Sequence, residues 1–104
     1  MKNSEIMKTD FTPVQPDYFD IFSDEQKKEV SKVFYFGKGI ELEEAGGKIT
    51  GLENKGNFEE YMIFDSGDKV RIDRIITING IPGPAYDEYD AYALACLNCN
   101  VQTD

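Results

Sequence analysis

Between Lys38 and Ile78 apolar residues alternate with charged or polar ones, and Gly, Asn and Asp collect at the breaks. That pattern predicts short antiparallel strands joined by tight turns. Ile40 and Leu42 point to one face and Glu41 and Glu43 to the other, while Ala45, Gly46 and Gly47 supply the positive φ of a hairpin, so the first two strands are expected to pair there. The second strand, Lys48 to Glu53, carries Gly51 at mid-strand, where a bulge or bend is expected. A turn over 54–57 leads into a third strand from Phe58 to Phe64, and a turn over 65–68 leads to Val70 and Ile72. Alternation fails at Arg74. One strand continuing to Ile78 would bury Arg74 or expose Ile75, and a bulge or tight turn near Asp73 and Arg74 removes the conflict.

The flanks have different signals. Met1 to Thr12 lacks any period and reads as a mobile leader. Pro13 and Pro16 hold the next residues extended, and Asp17 to Phe22 has enough apolar surface to dock. Ser23, with Gln26 three residues on, has the form of a capping box, which predicts a helix to about Phe34 with Val30, Val33 and Phe34 on its apolar stripe. The β-branched and aromatic content of Val33 to Phe36 fits a strand equally well. After Asn79 the run GIPGP ends the sheet, and Asp87 caps a second helix with Tyr86, Tyr89, Ala93, Cys96 and Leu97 along one face. The expected architecture is mainly β within an α+β class: a small five-stranded antiparallel barrel, Sm-like or SH3-like, over about residues 38–80. An N-terminal and a C-terminal helix complete a single domain from 13 to 104.

Charge narrows the partners. Twenty acidic residues against eleven basic ones leave a net charge of −9, which repels nucleic-acid backbones and anionic lipid and favours a protein partner with a basic surface. Solubility alone is the simpler role for the same charge. The chain has no His, so the commonest general base near neutral pH and the imidazole metal ligand are both missing, and a non-catalytic protein without cofactor is expected. No signal-peptide run and no apolar stretch near 20 residues is present, which predicts a cytoplasmic chain with no membrane span.

Cys96 and Cys99 have C-x-x-C spacing but fall at the expected helix end, where the dipole raises a thiol pKa rather than lowering it. They read as a packed small hydrophobe and an incidental neighbour, with a shared metal or disulfide between chains, or redox work, as the alternatives. The carboxylate pairs Glu43 with Glu44 and Glu59 with Glu60 read as solvated faces. Tyr86, Tyr89 and Tyr92 read as packing residues, with stacking on a partner the alternative. No glycine cluster has phosphate-binding spacing.

The span Gly39 to Ile78, with KITGLENKGNFEEYMIF at its centre and KVRIDRIITI at its end, resembles the Rho-binding antiterminator (Rof-like) family, whose small Sm-like barrel carries a comparable V-R-I-D-R-I strand. PVQPDYFD, from Pro13 to Asp20, is similar to the acidic and aromatic lead-in of that family. Pro16 stands where the family usually has Cys, and residues 81–104 have no counterpart there. The resemblance implies binding to the transcription termination factor Rho, with an acidic surface that keeps RNA from Rho's RNA site. It places Asp17 and Asp20 at the interface, and Glu41 and Glu43 are the strand carboxylates expected to join them. An Sm-like RNA-binding domain is the second reading, requiring Lys48, Lys55, Lys69, Arg71 and Arg74 on one face. A structural or oligomerising module is the third.

Overall fold

The computed structural model describes residues 11–37, 41–91 and 93. Helix α1 spans Pro16–Gln26. It starts at a proline because the missing N–H of Pro16 is not needed in the first turn and its fixed φ is already helical, and Asp17 suits the positive end of the dipole. Tyr18, Phe22 and Glu25 recur at spacings of four and three, which turns one face inward and buries Phe22 and Glu25. The helix begins seven residues before the start that the Ser23 capping signal predicts, Pro16 against Ser23. Ser23 lies inside it rather than at its cap, and the residues expected to finish it form strand β1, Ser31–Phe36. The apolar spacing of Val30, Val33 and Phe34 is coincidental, since Val30 is 72% exposed while Val33 is fully buried.

The strands β2 (Leu42–Gly47), β3 (Ile49–Asn54), β4 (Glu60–Phe64), β5 (Lys69–Arg71), β6 (Ile75–Ile78) and β7 (Ile81–Pro82) complete two antiparallel sheets, ordered β2-β1-β6-β7 and β3-β4-β5. Strand structure therefore begins at Ser31, earlier than residue 38. The expected hairpin at Ala45, Gly46 and Gly47 does not form. These residues lie within β2 and pair with β1, Ser31 opposite Gly47 and Val33 opposite Ala45, and the chain then bends at Lys48 into the second sheet. Asp65 holds that bend: its N–H donates to Lys48 O (2.8 Å), and its Oδ1 accepts from Lys48 N–H (3.1 Å). Gly47, at φ +129°, is needed for this approach, because a Cβ there would lie 2.7 Å from Asp65 Oδ1.

Between Ile49 and Gly51 the register with β4 shifts, as the mid-strand glycine predicts. The break expected near Arg74 is a single 3₁₀ turn, Ile72–Arg74, joining β5 to β6. The sheet also outlasts its expected end, since β7 pairs with β6 beyond the Asn79–Gly80 turn. Residues 86–91 are helical.

Each face of the first sheet packs against something different. Val33, Ala45, Ile75 and Ile78 meet Ile49, Met62, Phe64 and Val70 of the second sheet, together with Phe22 and Ile72, in the main core. Phe36 and Ile76 point the other way and form a smaller cluster with Ala85, covered by Phe34, Tyr86 and Tyr89. β1 is apolar on both faces because both are covered.

Candidate protein-binding surface

Helix α1 brings Asp17 and Asp20 to its solvent face, and Asp24 continues the stripe at spacings of three and four. All three are exposed; Asp24 has Lys27 at 3.8 Å, an exposed and weak pair. Neither Asp17 nor Asp20 makes an ion pair among the described residues. Glu41 and Glu43 lie elsewhere, Glu41 on the connection from β1 to β2 and Glu43 near the start of β2. The carbonyl of Glu41 accepts from Gly37 N–H at 2.7 Å, and both side chains are exposed. Glu43 stands opposite Tyr35 in the ladder, and the Tyr35 phenol is pushed above its ordinary pKa by burial first and then by the charges of Glu43 and Asp68. The four predicted carboxylates thus occupy two elements, with a second acidic zone, Glu43 and Asp68, gathered round Tyr35.

The cations needed for an RNA-binding face are largely engaged with acids. Lys69 Nζ is 3.0 Å from Glu53. Arg71 forks onto Asp73, with Nε to Oδ1 at 3.1 Å and Nη2 to Oδ2 at 2.8 Å. Arg74 is 3% exposed and pairs with Glu88 at 3.0 Å. The burial that sequence reasoning sought to avoid for Arg74 is accomplished by this carboxylate from the C-terminal helix. Of the five, only Lys48 and Lys55 present side chains without an ion pair among the described residues.

Two features were not anticipated. Phe11 and Thr12, assigned to the leader whose residues 1–10 lie outside the described ones, strap the second sheet. Thr12 N–H and Oγ1 donate to the buried Asp73 Oδ2 (2.9 and 3.3 Å), and the Phe11 ring lies 3.8 Å from the Arg71 guanidinium and edge-on to Tyr61 at 5.9 Å. Nothing local signals a contact between residues 61 positions apart. The second is an apolar groove of about 250 Å³ lined by Phe34, Leu42, Ile76, Thr77 and Tyr89, on the outer face of the first sheet.

No three described His, Cys, Asp or Glu side chains converge to hold a metal ion, and every buried side-chain polar atom among the described residues has a partner. Cys96 and Cys99 lie outside the described residues. No described helix is long and apolar enough to cross a membrane.

No family model, curated protein or solved structure matches the chain.

Proposed function

We propose that this chain is a non-catalytic, acidic protein-binding regulator of the antiterminator kind, which docks on the basic RNA-binding surface of Rho and excludes RNA by charge. The observation that carries the reading is the stripe Asp17, Asp20 and Asp24 on the solvent face of α1, in a chain of net charge −9. Exposed carboxylates aligned on one helix face steer a basic partner and set its orientation. Glu41 and Glu43 extend the acidic field from a second element. In this reading the chain works in the cytoplasm, where Rho acts.

The two sheets fit the halves of a five-stranded Sm-like or SH3-like barrel, with β2 and β3 counted as one strand bent at Lys48 and β7 as an addition. Three features support this: the continuity of β2 into β3, the meander β3-β4-β5, and the return of β6 to pair with β1 after the 3₁₀ turn. The engagement of Lys69, Arg71 and Arg74 with acids favours the protein partner over RNA. The test is displacement of a labelled RNA from the Rho hexamer: the wild-type chain displaces it, and the Asp17→Asn, Asp20→Asn variant does so poorly. Unchanged RNA occupancy at saturating wild-type chain refutes the proposal.

A further inference from the structure

The connection from β3 to β4 closes as a tight turn, with Glu59 N–H donating to Gly56 O at 2.9 Å and Lys55 N–H to Glu59 O at 2.8 Å. Both central residues have positive φ, Asn57 at 55° and Phe58 at 66°, the geometry of a type I′ turn. Asn suits the first position. The second is where glycine is strongly preferred, and a bulky aromatic there is a backbone outlier. Phe58 gains little within the fold for this strain: it is 58% exposed and stacks on no ring among the described residues. A strained residue whose side chain serves the interior poorly points to a role outside it.

We infer that Phe58 is the apolar anchor of the interface, inserted by the β3–β4 turn into an apolar cleft on a basic protein surface. The inference rests on the proposed function and adds its central contact. Glu59 and Glu60 follow the ring in sequence and match a cationic rim around such a cleft. The turn terminates β3, the strand on which α1 packs, so the acidic helix and the aromatic tip belong to neighbouring elements. Central aromatics rimmed by charge are the usual hot spots of protein interfaces.

The experiment compares wild type, Phe58→Gly, Phe58→Ala and Asp17→Asn, Asp20→Asn for thermal unfolding and for titration against the Rho hexamer. Phe58→Gly relieves the backbone and raises Tm by about 3 °C or more, while Phe58→Ala, which keeps a Cβ at positive φ, does not. Both Phe58 variants bind roughly tenfold more weakly or worse, and they retain the salt dependence of the wild type. Wild-type binding with equal affinity in the Phe58 variants overturns the anchor and leaves the acidic reading intact. A lower Tm for Phe58→Gly also overturns it, because the ring would then belong to the fold. Binding of a single-stranded RNA by the free chain that Phe58→Ala abolishes overturns it in favour of base stacking. No wild-type binding at low salt removes the functional reading and the anchor together.

Discussion

Arg74 and Glu88 form a two-point ion pair, Nη1 to Oε1 at 3.0 Å and Nη2 to Oε2 at 3.4 Å, with the guanidinium carbon 4.7 Å from the Phe36 ring centroid. The arginine side chain is 3% exposed and the glutamate 34%, so the pair ties the C-terminal helix to the outer face of the first sheet. Removing Glu88 leaves a buried cation, whereas replacing both partners by apolar groups removes the desolvation problem. Glu88→Ala is therefore expected to cost about 1–3 kcal/mol, below the range for a wholly buried pair because Glu88 is partly solvated. Arg74→Met, Glu88→Leu should lose less than the single change in urea unfolding, and Asp87→Asn next door should be near neutral.

Glu25 is 7% exposed, accepts from Asn79 Nδ2 at 2.7 Å and pairs with Lys28 at 2.8 Å. The hydrogen bond from Lys28, then that from Asn79, hold its carboxyl below the usual range against the opposing effect of burial. With the folded pKa below the unfolded one, its contribution to stability is fully present above the unfolded value, near pH 4.5, and is lost as pH falls through the folded value. Glu25→Gln should thus be less stable than wild type at pH 7, with the gap narrowing below pH 4.5. Unfolding curves at pH 7 and in the acid range check this.

Asn79 occupies φ +51° while Oδ1 accepts from Lys32 N–H (2.9 Å) and Nδ2 also donates to Ser31 Oγ (3.2 Å). Asn79→Asp keeps the shape but sets a carboxylate against Glu25 and removes two donor contacts, for a loss of about 1–3 kcal/mol at neutral pH. Part of that loss should return as the pH is lowered.

The strap over the second sheet is a separable element. Phe11→Ala should cost about 1 kcal/mol through the lost cation–π contact, and should speed amide exchange at Thr12 without loosening β4. Asp73→Ala removes the fork onto Arg71 and the acceptor for Thr12, and is expected to cost about 1–3 kcal/mol, since the Asp73 side chain is 2% exposed and the Arg71 side chain 21%.

Gly83 is closely packed, with any Cβ 2.8 Å from the carbonyl oxygen of Ile75. Gly83→Ala is expected to destabilise by about 1–3 kcal/mol, read as a lower denaturant midpoint.

Turn chemistry and alternation made the second sheet legible. Gly51, the turn over 65–68 and the break at Arg74 lie where the residues place them, whereas the turn before β4 falls at 56–59 rather than 54–57 and takes Phe58 out of the expected strand. The first sheet was misread because its signals are tertiary. β1 looks helical to a periodicity test, since both of its faces are covered by distant elements, and Gly46–Gly47 has hairpin composition but serves a bend held by Asp65. At the candidate site, the exposure of Asp17 and Asp20 followed from their polarity. The helix that aligns them did not, because a proline signals an extended residue and the first residue of a helix equally, and Pro16 is the latter. The strap and the burial of Arg74 depend on contacts between remote positions, which no local pattern encodes.

The most direct test of the account is titration of the purified chain against the Rho hexamer at low and high salt, with the Asp17→Asn, Asp20→Asn variant alongside. The account predicts tight binding at low salt, a steep loss at high salt, and weaker binding with a shallower salt dependence in the variant. Equal affinity at both salt concentrations, or an unaffected variant, would contradict it.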